Sequence, residues 1–225
     1  MAANDPSVAR RDPLSRVRGI LWGVVLLLAL VAAVLYVALR SSGRSTTAVP
    51  VSDTPAATWA AGALRAPDFR LADQSGAPVS LAALHGRPVI ITFIDPLCRD
   101  FCPLEAQHLN DVVNAFPQAS KPAIVAVSVN IYGNAHTTLM QDARKWKLVP
   151  EWRWAVGRPT ELSRVWNAYH VQVLAMTKTV AGVKVHTIGH TEAAYVIDSK
   201  GYQRALFLWP YRAAGVVQTL RALTP

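Results

Sequence analysis

The sequence predicts an α/β domain that follows a hydrophobic N-terminal helix. Two observations support this: residues 19–39 carry no charged side chain, and from about residue 66 onward short β-branched runs alternate with segments of helical spacing. The chain has 225 residues, 52% of them apolar. That length is enough for one membrane-spanning segment and one domain with a sizeable core.

The uncharged run at 19–39 is long enough to cross a bilayer as a helix. Trp22 and Tyr36 lie near its two ends, where aromatic rings prefer the membrane interface. A cleaved signal peptide has a shorter apolar core and a small-residue cleavage site, whereas Arg40 directly follows this run. We therefore expect residues 19–39 to be a retained transmembrane anchor.

Arginine is more frequent before the apolar run than directly after it, so residues 1–18 are expected to stay cytoplasmic. The rest of the chain then lies on the extracytoplasmic, periplasmic side of the inner (cytoplasmic) membrane, in an oxidising compartment. Residues 40–60 are rich in Ser, Thr, Ala and Pro and are predicted to be a flexible linker. Residues 61–225 are predicted to form the folded domain.

The net charge of +9 does not indicate nucleic-acid binding. In the predicted domain the Lys and Arg residues are scattered among acidic ones and form no basic cluster, as on an ordinary solvated surface.

The predicted elements follow one another in a recognisable order. The run at 89–94, V-I-I-T-F-I, is typical of a strand buried on both faces, and 104–116 has the apolar spacing of a helix. A strand–helix–strand unit followed by strand–turn–strand–helix is typical of a thioredoxin-like domain. Strands are predicted at 66–71, 89–94, 123–129, 193–198 and 205–208, a hairpin at 176–187, and helices at 104–116, 136–146, 160–168 and 212–223.

Cys98 and Cys102, the only two cysteines, directly follow the strand at 89–94. The next helix is predicted to begin at about Cys102, so its dipole should favour the thiolate form of both cysteines. A disulfide closing so small a loop would contribute little stability. Thioredoxin-type redox pairs have two intervening residues and this pair has three. A metal site and a thiol–disulfide pair both remain open.

A third ligand is sought among six histidines. His190 lies just before the strand at 193–198, in the loop that faces the cysteines in thioredoxin-like domains. His186 is a weaker second candidate. Two thiolates and one imidazole select Cu(I) strongly and zinc less so, and the metal-free cysteines could form a disulfide. Four histidines are expected in surface or capping positions: His85, His108, His136 and His170.

Four segments together resemble the SCO/SenC family: F-I-D-P-L-C-R-D-F-C-P at 93–103, P-D-F-R-L-A-D-Q-S-G-A-P-V-S-L at 67–81, E-L-S-R-V-W-N-A-Y-H-V at 161–171 and G-H-T-E-A-A-Y-V-I-D-S-K-G at 189–201. The resemblance covers about residues 60–225. It implies a thioredoxin-like fold that binds copper through Cys98, Cys102 and His190.

The resemblance also implies a role in assembling the dinuclear copper centre of cytochrome c oxidase. The protein would be a copper metallochaperone that takes copper from a donor protein and passes it to oxidase subunit II or another acceptor. Alternatively, Cys98 and Cys102 would be catalytic in a thiol–disulfide oxidoreductase that reduces the acceptor's cysteines. A peroxidase using Arg99 or Arg144 fits the cysteine spacing poorly.

The sequence departs from the family pattern at two positions near the site. Arg99 stands where the family often has proline after the first cysteine, and Gly189 stands where an aspartate usually precedes the histidine. Loss of that acid changes the expected support for the histidine ligand.

Overall fold

The computed structural model describes residues 13–42 and 50–223 of the chain. The chain divides into two units, Met1–Ala48 and Val49–Pro225. In the first unit, the described residues 13–42 form a helix, α1 (Pro13–Ser42), which agrees with the helical conformation predicted for residues 19–39. Over the part of the chain that the structure describes, no helix has the combined length and hydropathy of a membrane span. The transmembrane anchor therefore stays a prediction.

Over residues 50–223, the second unit contains a six-stranded mixed sheet, two small hairpins and four α-helices. In chain order its elements are β1 (Ala57–Thr58), β2 (Arg70–Ala72), β3 (Pro78–Ser80), β4 (Val89–Ile94), α2 (Phe101–Asn114), β5 (Ala123–Ser128), α3 (His136–Lys145), β6 (Trp152–Ala155), α4 (Pro159–Ala168), β7 (Val173–Val180), β8 (Val183–His190), β9 (Ala193–Ile197), β10 (Gln203–Leu208) and α5 (Ala213–Arg221).

The sheet order is β1-β10-β9-β4-β5-β6. β4 and β5 are parallel, with Val89 opposite Ala123, and α2 makes the crossover between them. β9 runs antiparallel to β4, and β10 runs antiparallel to β9. This mixture of a parallel crossover and an antiparallel hairpin is the thioredoxin-like arrangement that the sequence predicts.

The core lies in two layers, one on each face of the sheet. Alternate residues of β4 enter opposite layers: Ile90 and Ile94 pack with α2 and α5, whereas Ile91 and Phe93 pack with α4 and the β2–β3 hairpin. All six residues of β4 are buried. Covering both faces fixes the register of β4, because a slip of one residue would exchange its two apolar sets.

Several predicted elements differ from the structure, among them the strand predicted at 66–71, which is observed as β2 at Arg70–Ala72, and β3, which was not predicted. Residues 57–58, assigned to the linker, form β1 and pair with β10, so the linker prediction extends too far. Asp53 also crosses α5, where a Cβ on Gly215 would collide with its carbonyl oxygen. β6 was not predicted, and the hairpin predicted at 176–187 is longer and reaches His190. Edge pairing of this kind depends on neighbouring strands, which local pattern does not reveal.

The buried carboxyl of Glu105 links α2 to the carboxyl-terminal part of β4 and to the segment between β10 and α5. Glu105 lies on α2, and its Oε1 accepts hydrogen bonds from the Thr92 hydroxyl at 2.7 Å and the Tyr211 hydroxyl at 3.0 Å. Its Oε2 is buried without a hydrogen-bond partner. Burial raises the pKa of Glu105 to about 8, although both hydrogen bonds oppose the shift.

Replacement of Glu105 by glutamine should make the free energy of unfolding less sensitive to rising pH. The pKa of Glu105 is raised in the folded state, so its neutral form contributes stability below about pH 4.5, and this contribution is lost as pH rises through about 8. Glutamine does not titrate. In denaturant titrations from pH 4.5 to 8, the free energy of unfolding of Glu105→Gln should rise relative to wild type by up to a few kcal/mol. Parallel pH profiles for the two proteins would contradict the assignment.

Candidate metal and thiol site

The two halves of the site come from opposite ends of neighbouring strands. The cysteine segment follows the carboxyl end of β4, and His190 with Glu192 precedes the start of β9. Since β9 is antiparallel to β4, with Thr92 opposite Ala194, the end of one strand lies beside the beginning of the other. The sheet therefore brings the cysteine loop and the histidine loop to one edge.

Arg99 braces the loop that carries Cys98. Its guanidinium donates hydrogen bonds to the carbonyls of Pro96 and Cys98, both at 3.0 Å. The same group forms an ion pair of 3.4 Å with Asp142 on α3, a side chain that is almost fully buried. Arg99 thus ties the loop to a neighbouring helix. These contacts occupy Arg99 and give no support to the peroxidase alternative.

The two cysteines lie in different environments. Cys98 is half-buried, and its sulfur accepts a hydrogen bond from the Cys102 side chain and another from the Cys102 backbone N–H at 3.5 Å. These bonds, with backbone N–H groups of Asp100 and Phe101, lower the pKa of Cys98 to about 5 despite its burial. Cys98 is therefore a thiolate at neutral pH.

Cys102 behaves in the opposite way. It is 1% exposed, and its thiol donates to Cys98. That hydrogen bond, burial and the nearby negative charge of Cys98 together raise the pKa of Cys102. The expectation that the helix dipole favours both thiolates is thus wrong for Cys102 in the metal-free protein. Both sulfurs are near the start of α2, but only Cys98 receives the freed N–H groups.

A backbone carbonyl sets the tautomer of His190. Its Nδ1 lies 3.2 Å from the carbonyl oxygen of Thr191. A carbonyl can only accept, so Nδ1 carries the hydrogen and Nε2 keeps its lone pair. Burial lowers the pKa of His190, which favours the neutral ring. A backbone carbonyl therefore orients the ring in this chain, where Gly189 replaces the usual aspartate.

Three potential ligand atoms converge at this edge of the sheet. One ligand atom from each of Cys102, His190 and Glu192 lies within 4.8 Å of the other two. Two of the three predicted ligands are thus brought together, and Cys98 is hydrogen-bonded to Cys102 beside them. Glu192 was missed in the sequence analysis. The sequence signal that could have identified Glu192 is its position two residues after His190, because residues two apart in an extended segment project to the same side.

Burial raises the pKa of Glu192 to about 7, and the negative charge of Cys98 adds to the shift. The carboxyl therefore lies in a partly desolvated space that it shares with a thiolate.

The remaining histidines were expected in surface or capping positions. His85, His136 and His170 are exposed, as expected, whereas His108 is half-buried between α2 and the segment around Tyr211, so the expectation is wrong for it. His85 lies against Gly201, His108 bonds the Tyr211 carbonyl at 3.0 Å, His136 bonds the Gln74 carbonyl, and His170 is exposed at the end of α4.

The structure does not bring the backbone of His186 to the site. His186 lies within β8 opposite Thr177, four residues before His190, which corresponds to about 13 Å along an extended strand. Its side chain is outside the described residues.

Residues 59–224 match the family described as SCO1/SenC. The chain belongs to the SCO1/SenC family. This confirms the resemblance carried by the four segments. No curated protein matches the sequence.

Solved structures agree with the SCO1/SenC assignment at the level of the fold. Copper-bound ScoI from Bradyrhizobium japonicum is 23% identical, with a TM-score of 0.61, and the match covers 72% of this chain and 99% of that one. Copper-bound yeast Sco1 is 18% identical with a TM-score of 0.61, covering 71% and 87%. The thioredoxin domain of a thiol-disulfide oxidoreductase from Bacteroides vulgatus is 20% identical, with a TM-score of 0.53, covering 75% and 99%.

Cys98 should be alkylated before Cys102 in the reduced, metal-free protein. Because its pKa is about 5, its reaction rate with iodoacetamide should be near its plateau at pH 7 and fall as pH drops through 5. Peptide mapping after brief labelling would identify the modified sulfur. In Cys98→Ser, the Cys102 thiol should react slowly and only at alkaline pH. Equal labelling of both cysteines at pH 7 would contradict the assignment.

Proposed function

We propose that this SCO1/SenC protein is a copper metallochaperone for the dinuclear copper centre of cytochrome c oxidase. Cys98, Cys102 and His190 would hold the metal, which would pass to oxidase subunit II or another copper acceptor. The observation that carries the proposal is the convergence within 4.8 Å of a His190 ring nitrogen, at the end of β8, and the Cys102 sulfur, in the first turn of α2. The copper-bound Sco structures of two relatives support copper as the cargo.

The donor set suits a metal that must be both held and released. Two sulfurs and a neutral imidazole satisfy Cu(I), which accepts a low coordination number. Cys102 lies at the buried end of the site, whereas Cys98 is half-buried and therefore reachable by an incoming thiolate. Leu97, Phe101 and Leu104 are exposed beside it and offer an apolar rim on which an acceptor could dock.

The site would work from the membrane surface. The uncharged run at 19–39 supports a single-pass anchor in the inner (cytoplasmic) membrane, and the arginines within residues 1–18 support a cytoplasmic N-terminus. The described side chains of α1, residues 21–37, are exposed and largely apolar, as a lipid-facing helix requires. The domain would then lie on the periplasmic side. A copper donor in the same compartment would load it.

The anchor can be tested by fractionation. The full-length chain should sediment with membranes and resist carbonate extraction, because a helix of about 20 apolar residues inserts stably. Protease added to spheroplasts should digest the domain. A variant without residues 19–39 serves as the control and should leave the membrane fraction. Recovery of the full-length chain as a soluble protein would contradict the anchor.

A second candidate function is thiol–disulfide oxidoreduction, which the unequal cysteines favour. The Cys98 thiolate would attack an acceptor disulfide and release one acceptor thiolate. Cys102, after losing its proton, would attack the mixed disulfide and release the second. The acceptor disulfide is thereby reduced, and the Cys98–Cys102 pair is oxidised to a disulfide.

Copper binding by reduced full-length protein distinguishes these functions. Under anaerobic conditions the wild type should bind one Cu(I) per chain, and His190→Ala should weaken binding by at least tenfold, because one of three ligands is lost. Affinity would be measured by competition with a chromophoric Cu(I) chelator. His136→Ala removes an exposed histidine that hydrogen-bonds the Gln74 carbonyl and is the matched control, which should bind as the wild type does.

The same variants should be assayed with an acceptor peptide whose two cysteines are oxidised. A metal carrier needs His190, whereas disulfide exchange needs only the two sulfurs. Unchanged Cu(I) affinity in His190→Ala, together with normal peptide reduction, would remove the metallochaperone proposal and leave thiol chemistry.

A further inference from the structure

Glu192 is the group at the site that a Cys-Cys-His copper site does not use. It lies in the two-residue connection between β8 and β9. Its carbonyl accepts a hydrogen bond from the Trp209 N–H at 3.1 Å, and the preceding residue, Thr191, donates its N–H to the Gln172 carbonyl at 3.0 Å. The backbone of Glu192 is therefore fixed from both sides.

The geometry brings the Glu192 carboxylate close to metal-bonding range. Its oxygen, a His190 nitrogen and the Cys102 sulfur are all within 4.8 Å of one another. Two ligands of one metal ion, each bonded at about 2.0–2.3 Å, are separated by at most about 4.6 Å. Rotation of these side chains would have to shorten the separations for all three atoms to bind one ion.

We propose that Glu192 supplies a fourth, oxygen ligand that completes a site of two sulfurs, one nitrogen and one oxygen and favours Cu(II) over Cu(I). The proposal rests on the copper function proposed above for Cys98, Cys102 and His190. It adds a specific role for this chain's acidic residue, namely that the site holds the oxidised ion as well as the reduced one.

The chemistry of the donors sets the direction of this preference. Cu(I) is satisfied by soft sulfur and imidazole ligands at low coordination number, and a hard carboxylate adds little to it. Cu(II) takes four ligands and accepts nitrogen and oxygen donors. Two thiolates and a carboxylate also bring three negative charges together in a partly buried space. A divalent cation offsets that repulsion better than a monovalent one.

The test compares Glu192→Gln with wild type in the full-length protein. Glutamine keeps the shape of the side chain and removes its charge, so Cu(II) affinity should fall at least tenfold and Cu(I) affinity should change less than threefold. A tenfold loss confined to Cu(II) raises the Cu(II)/Cu(I) reduction potential by about 59 mV. The electron paramagnetic resonance spectrum of the Cu(II) form should change as an oxygen ligand is lost.

Two further variants make the result specific. Glu161→Gln removes a partly exposed carboxylate, paired with Arg158 and outside the site, and should leave the affinities for both copper ions unchanged. Glu192→Asp retains a carboxylate on a shorter stem and should recover part of the Cu(II) affinity. Equal losses for Cu(I) and Cu(II) in Glu192→Gln, or no loss for Cu(II), would overturn the proposal.

Co(II) separates failure of this inference from failure of the proposed function. If the wild type binds neither copper ion, the metallochaperone is ruled out, and the visible absorption of added Co(II) still reports the ligand set. A Co(II) spectrum that differs between wild type and Glu192→Gln would support the carboxylate as a ligand. Identical Co(II) spectra, or no Co(II) binding by the wild type, would overturn it.

Discussion

The antiparallel pairing of β9 with β4 is the constraint on which the site depends. It lays the first residues of β9 beside the last residues of β4, so two loops far apart in sequence face each other. Both strands are buried throughout, which fixes their register through the two apolar layers. The position of His190 relative to Cys102 is thus set by core packing, and the loops themselves contribute only their final orientation.

Within that frame, unequal burial separates the roles of the two sulfurs. Cys98 receives the N–H groups at the start of α2 and is a thiolate, whereas Cys102 lies beneath it as a buried thiol. The Cys98 sulfur is partly exposed and negatively charged, whereas the Cys102 sulfur is buried and neutral. Binding of a metal ion and formation of a disulfide bond would both remove the proton from Cys102 and make the two sulfurs alike. One pair of cysteines therefore fits both proposed functions.

Two acidic side chains lie close to this pair. Glu105 lies buried one turn after Cys102, and Glu192 approaches from the opposite loop. In the metal-free protein, burial and like charges raise the pKa values of both carboxyls. Exposed apolar side chains, those of Leu97, Phe101 and Leu104, lie near Cys98 in the chain.

The sequence by itself determined the strands with strong local pattern and the candidate cysteines. Residues 89–94 were predicted with the observed bounds because a β-branched apolar run has few alternatives. Only the tertiary structure decided what depends on distant neighbours. It paired residues 57–58 with β10, gave Cys98 and Cys102 opposite ionisation, and brought Glu192 to the site. Burial, edge pairing and convergence of loops are properties of the packed sheet, and no local spacing encodes them.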